Sequence, residues 1–203
     1  MGIIPDGRWT EYAVNPQSRA NLQRLFEEAG IDASSGVIAV HVGANWTLKR
    51  WPPESFARWV ALFRQKSPLP VIFCGSSKET PLIRWIMELA GQKALYDFSG
   101  KTSVEDLAAL LERSALFISN DSGPLHLAVS VGTPSVGIFG PTLPAITAPV
   151  GRQAVKVLWK DVGCRVPCYF RACNYRVCMD RISPEEVMVT CEVLLGTESG
   201  HIK

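Results

Sequence analysis

From Gly36 onward, short unbroken apolar runs alternate with longer segments whose apolar residues return every three or four positions. "VIAVHVG" (Val37–Gly43), "PVIFCG" (Pro70–Gly75), "ALFISN" (residues 115–120) and "PSVGIFG" (residues 134–140) are apolar along their whole length and closed by glycine or asparagine. Runs this short, with punctuation at the ends, predict buried strands. "ALYDFSG" predicts a weaker strand, and "AVKVLW" one more. Between them "PESFARWVALFRQK" predicts a helix with Pro53 near its first turn and Phe56, Val60 and Phe63 inward. "SKETPLIRWIMELAG" predicts the next helix, stopped by Gly91. "SVEDLAALLERS" predicts another, capped by Ser103, with Asp106 a near-miss of the Glu or Gln of a capping box. "GPLHLAVSVG" and "SPEEVMVTCEVLLG" complete the helices, the last with Ser183 as cap and Pro184 at the first position. Ahead of Gly36, "NPQSRANLQRLFEEAGID" predicts one amphipathic helix with Leu22, Leu25, Phe26 and Ala29 on a face and Gly30 as its stop.

Strands that are apolar on both faces need helices on both faces. Repeated strand–helix alternation therefore predicts a parallel sheet, and the right-handed crossover rule makes it a Rossmann-like α/β sandwich. The expected organisation is a linker and lead-in helix over residues 1–36 and one Rossmann-like domain over residues 37–203.

Composition changes this picture little. With 203 residues, 47% hydrophobic and 20% charged, the chain can bury a full core, and a net charge of +2 gives no reason to expect a nucleic acid partner. Between Gly151 and Arg181, seven basic residues stand against two acidic ones. That segment reads as a solvated basic rim or as an attractor for an anionic partner. The start "MGIIPDGRWT" has no apolar signal region and no stretch approaches a membrane span, so the expected compartment is the cytoplasm.

The candidate chemistry sits where strands should end, because ligands of parallel α/β sheets bind at the carboxyl edge. After "ALFISN" come Asp121, Ser122 and Gly123, and Pro124 opens the next helix. Amides at the start of a helix make an anion site. Gly123 admits a ligand close to the backbone, and His126, four residues after Ser122, can face the same ligand. The plainer reading is a capped helix with a packed histidine. Gly140-Pro141-Thr142 closes the next strand and can line the same crevice. "GANWTLKRWP" puts Lys49 and Arg50 after the first strand, either as phosphate contacts or as a surface pair with Trp51 stapled to the next helix. In "GSSKE", Glu79 is a ribose-hydroxyl acceptor or a first-turn glutamate favoured by the helix dipole. Four such features at one edge point to a nucleotide diphosphate. "CRVPCYFRACNYRVC" spaces Cys164, Cys168, Cys173 and Cys178 compactly enough for four thiolates round a metal, but not as the usual CxxC pairs. Reduced packed thiols, or disulfides formed on oxidation, fit the same residues. No DxD-type metal motif lies beside the candidate site, so no catalytic metal and no cofactor is expected.

Together, "GANWTLKRWP", "GSSKE", the stretch from "SGKTSVEDL" to "VGIFGPT" and "CRVPCYFRACNYRVCMDRISPEEV" resemble glycosyltransferase family 9, the ADP-heptose:lipopolysaccharide heptosyltransferases. The resemblance runs from about Val37 to Leu195, with Ser122 where the family more often has threonine. It implies a GT-B architecture, two Rossmann-like domains facing a cleft, of which this chain is the carboxyl-terminal, donor-binding half. It further implies that Lys49 contacts the donor's diphosphate and Glu79 its ribose. Asp121, Ser122, Gly123 and His126 would surround the phosphates and the transferred sugar, with Thr142 a neighbour; Lys49, Asp121 and His126 are the catalytic candidates. The implied partners are a nucleotide-diphosphate sugar (ADP-heptose), an anionic lipid-linked saccharide acceptor at the inner face of the inner membrane, and an amino-terminal half carrying the acceptor contacts and the general-base aspartate. Residues 1–36 resemble the linker leading out of that half, so the chain is expected to be a piece of the whole enzyme, without transfer activity alone. The other readings are a nucleotide-sugar-binding module and a different GT-B enzyme such as an epimerase.

Overall fold

The computed structural model of the chain describes residues 10–34, 36–151, 155–168, 173 and 175–196. Six strands form one sheet: β1 (Val37–His41), β2 (Val71–Cys74), β3 (Leu95–Asp97), β4 (Ser114–Asn120), β5 (Ser135–Ile138) and β6 (Val155–Leu158). Every pairing is parallel and the order is β3-β2-β1-β4-β5-β6. The chain winds outward from β1 in one direction, then returns to the middle and winds the other way. The order therefore reverses between β1 and β4, and a crevice opens beyond the carboxyl ends of those two strands.

The helices are α1 (Pro16–Glu28), α2 (Pro53–Lys66), α3 (Thr80–Ala90), α4 (Val104–Arg113), α5 (Gly123–Ser130), α6 (Pro144–Thr147), α7 (Val177–Asp180) and α8 (Pro184–Leu195). Alternate strand residues serve opposite faces. Ile38 and Val40 pack with Phe73, Leu116 and Ile118 against Phe56, Trp59 and Phe63 of α2, Ile83 and Ile86 of α3 and Val187 of α8. Val37, Ala39, Ile72 and Phe117 face the other way, against Leu22 and Phe26 of α1, Ala108 to Leu111 of α4 and Leu125 of α5. Burial on both sides is why these strands read as continuous apolar runs rather than as alternations.

The lead-in helix α1 packs into this second core and is also held at its surface. Arg19 donates Nε and one terminal nitrogen to the two Glu112 oxygens of α4, both at 2.7 Å, and Asn21 donates to Asp106 at 3.0 Å. Asn15 accepts from the Ser18 amide as the helix cap, and Gly30 follows in a left-handed conformation. Two expectations are corrected. Asp106 completes its capping box with Ser103 in full, because its Oδ2 reaches both the Ser103 amide and hydroxyl. The helix expected from Ser77 begins as a 3-10 turn over Ser77–Glu79 and becomes α-helical at Thr80. Of the basic segment, Arg152 and Arg171 lie outside the described residues, and Lys160 is paired with Glu186. No helix among the described residues is long and apolar enough to cross a membrane.

Candidate functional site

The carboxyl ends of β1, β2 and β4 meet at the crevice, and each turn leaving them brings a polar side chain there. Beyond β1 the chain makes a 3-10 turn over Thr47–Lys49 before entering α2. Asn120, the last residue of β4, fixes this connection. Its Oδ1 accepts from the Trp51 amide at 2.9 Å, and its Nδ2 donates to the carbonyls of Val42 (2.9 Å) and Gly43 (3.1 Å). Trp51 is buried edge-on to Phe56, and its indole donates to the Ile182 carbonyl at 2.9 Å. The tryptophan is therefore an anchor of the loop, as the plainer reading of its sequence had it.

This anchoring carries Lys49 to the end of β4. Lys49 Nζ lies 2.6 Å from Asp121 Oδ2 across 72 residues of chain. The pair is largely enclosed, with side chains 16% and 6% exposed. Thr142 Oγ1 donates to the same Asp121 oxygen at 2.7 Å, so the Gly140-Pro141-Thr142 turn buttresses Asp121 from the β5 side. An ammonium has three donors and this one gives one to Asp121, leaving it able to meet a further acceptor. Arg50 turns back to the Ala44 carbonyl, at 3.1 Å from a terminal nitrogen.

Next to this triangle, Ser122 is extended and Gly123 is the first residue of α5. The Asp121 amide donates to Ile138 O, whereas no acceptor among the described residues takes the amides of Ser122 or Gly123. A Cβ built on Gly123 would meet nothing within 4 Å, so the backbone lies open there. Two free amides at a helix start beside an ammonium can hold an anion of more than one charge.

A cavity of about 590 Å³ opens from these amides. Glu79, Ser122 and Gly123 line it, with His41, Arg50 and Lys78, and Thr102, Ser103 and Leu107 form its far wall. Lys49, Asp121 and Thr142 lie together at its margin rather than in its lining. His126 stands exposed on α5, apart from the cavity lining and from the bonded cluster.

His41 was missed in the sequence because it sits inside an apolar strand. Its Nε2 lies 3.3 Å from Glu79 Oε1, and its Nδ1 lies 3.2 Å from Ser122 Oγ. The other Glu79 oxygen accepts from the Ser76 amide at 2.7 Å and hydroxyl at 3.0 Å, closing a capping box. Burial pushes the Glu79 carboxyl up, but His41 and the two Ser76 donors outweigh it and hold the group at about 2.

The four late cysteines are all free, and all line a second, apolar cavity of about 70 Å³ beside Gly140 and Pro141. Cys164 is exposed and the other three are half-buried. Burial pushes the Cys178 thiol up, and the nearby Cys173 and Cys164 add to the effect. Among the described residues, no group of three or more His, Cys, Asp or Glu is arranged to hold a metal ion.

Comparison with known proteins gives the family and the fold. The sequence model of the family described as "Glycosyltransferase family 9 (heptosyltransferase)" matches residues 4–175. The chain is 29% identical over 164 residues to a lipooligosaccharide heptosyltransferase 2 of Campylobacter jejuni, covering 78% of the chain and 51% of the relative. The structure of E. coli ADP-heptose LPS heptosyltransferase II superposes with a TM-score of 0.76 at 20% identity, over 97% of this chain and 57% of that one. That of E. coli heptosyltransferase WaaC with ADP gives 0.61 at 19% identity, over 82% and 47%. The chain thus spans about half the length of the relatives it matches.

Proposed function

The chain belongs to glycosyltransferase family 9, and from that premise we propose that its cavity holds the nucleoside diphosphate of a sugar donor, ADP-heptose, for inverting transfer to a lipopolysaccharide core acceptor. The observation that carries this reading is the meeting of Lys49 and Asp121, 2.6 Å apart, beside the open amides of Ser122 and Gly123. Support for the nucleotide comes from the relative solved with ADP, whose fold the chain shares. In this reading the adenosine lies in the cavity with its ribose towards Glu79, and the diphosphate crosses the Ser122 and Gly123 amides to Lys49. Asp121 holds the lysine extended, Thr142 holds Asp121, and exposed His126 meets the transferred sugar from outside the cavity. Residues 37–203 act as the donor domain, with residues 1–36 as its lead-in. The enzyme works in the cytoplasm at the inner face of the inner membrane.

Inverting transfer requires a base for the acceptor hydroxyl, in-line placement of the anomeric carbon and stabilisation of the departing diphosphate. These residues supply the last requirement. As charge builds on the leaving phosphate, a fixed ammonium and two fixed amides meet it without having to reorganise. One such donor is worth about 3 kcal/mol of barrier, or roughly a hundredfold in rate. Lys49→Ala should therefore weaken ADP binding to this chain by about tenfold or more in calorimetric titration. In the complete enzyme it should lower turnover by at least some tens-fold. An unaltered ADP affinity and turnover would remove Lys49 from the site, and a wild-type chain that does not bind ADP at millimolar concentration would overturn the reading.

A further inference from the structure

His41 ends the central strand, opposite Cys74 of β2 and Ser119 of β4. Its side chain is 7% exposed and touches residues from both sides of the crevice. A buried imidazole must satisfy both nitrogens, and here their roles follow from the partners. A carboxylate only accepts, so Nε2 carries the proton shared with Glu79 at 3.3 Å. The Ser119 hydroxyl donates to the Asn120 carbonyl at 2.8 Å, so it has no proton for Nδ1. Ser122 Oγ lies 3.2 Å from Nδ1 and 2.8 Å from Ser119 Oγ, so its hydroxyl belongs to this buried cluster. The Ser122 hydroxyl is thereby turned inward, and a ligand meets its amide instead.

The backbone is cleared for this arrangement. A Cβ on Gly43 would fall 1.4 Å from Glu79 Oε1 and 3.0 Å from His41 Nε2, and one on Gly75 would fall 2.6 Å from Glu79 Oε2. A side chain at either glycine would thus displace the Glu79 carboxylate from this place. Glu79 follows β2 and Ser122 follows β4, and the His41 ring lies within 3.3 Å of a polar side-chain atom of each.

We propose that His41 is a positioning residue that ties the ribose-side carboxylate of Glu79 to the phosphate-side turn at Ser122, so that nucleoside and diphosphate are gripped at one fixed spacing. The inference rests on the donor-site reading above. It assigns His41 no contact with the donor; the residue acts through its two neighbours.

The test uses the full chain with two probes, ADP and inorganic pyrophosphate, titrated calorimetrically. His41→Asn keeps a polar group where Nδ1 was and loses the link to Glu79. It should bind pyrophosphate like wild type and ADP about tenfold more weakly. His41→Gln keeps a donor where Nε2 was and loses the link to Ser122, so both probes should weaken by about tenfold. Equal losses on both probes in both variants, tracking only their loss of melting temperature, would overturn the proposal, as would unchanged ADP affinity in both. Should a variant fail to fold, the wild-type protein decides through the imidazole nitrogen chemical shifts of His41. Both should move on adding ADP and Nδ1 alone on adding pyrophosphate; a ring that responds to neither sinks the idea. Wild-type protein that binds neither probe overturns the donor site itself, an outcome distinct from normal wild-type binding with the wrong pattern in the variants.

Discussion

Glu79 has 15% of its side chain exposed, and its carboxyl titrates near 2 rather than at the ordinary 4.5. A folded-state value below the unfolded one means stability that is complete above about 4.5 and is lost as pH falls toward 2. The difference amounts to roughly 3 kcal/mol as an upper figure. Urea unfolding of the wild-type chain between pH 6 and 2.5 should show this loss, and Glu79→Gln should flatten the curve across the same window. Parallel curves would mean that the carboxylate gains nothing from His41 and Ser76. Much of the site was legible residue by residue. Asp121 announced itself because a charged group directly after an apolar run marks a strand end, and Lys49 because it stands in the glycine-led turn that follows the first strand. Their mutual bond was not legible, since 72 residues separate them and only the sheet order brings them together. His41 was hidden because one histidine within "VIAVHVG" does not disturb a strand pattern. For Glu79, both sequence readings fit its place: it caps a turn and lines the cavity.

The capping box of α4 belongs to the scale of elements. Ser103 Oγ accepts from the Asp106 amide at 3.0 Å, and Asp106 Oδ2 accepts from the Ser103 amide at 3.2 Å. Aspartate, one methylene shorter than glutamate, still closes the ring, which sequence rules favouring Glu or Gln understate. Ser103 also lines the cavity, so the cap shapes its wall. Ser103→Ala should cost about 1 kcal/mol in chemical denaturation, and Ser103→Asp should recover most of it. An unchanged midpoint for the alanine variant would show that the first turn of α4 is held by packing alone. The long helices and the strands were readable because burial imposes a period on them. Short α6 and α7 and the turn that carries Lys49 were not, because four residues or fewer complete too little of a period to register.

At the scale of the whole molecule, strand–helix alternation foretold a doubly covered parallel sheet, and the structure has one. The strand order was beyond the sequence, since nothing local states which edge each new strand joins. The chain spans about half of its relatives, and the transfer reaction as proposed needs a base that the family resemblance assigns to the acceptor half. Incubated alone with ADP-heptose and a heptose-free core acceptor, the chain should yield no transferred heptose by mass spectrometry, while still binding ADP. Product formed at more than background rate would show that the catalytic base lies within these residues. Asn120 carries a last consequence. One carboxamide stitches the lysine-bearing loop to the strand that ends in the lysine's acidic partner. The two pieces are thus tied together in the folded chain, with Lys49 and Asp121 already in contact. On the proposed donor reading, a buried side chain outside the cavity lining therefore governs how little the pocket must rearrange on binding.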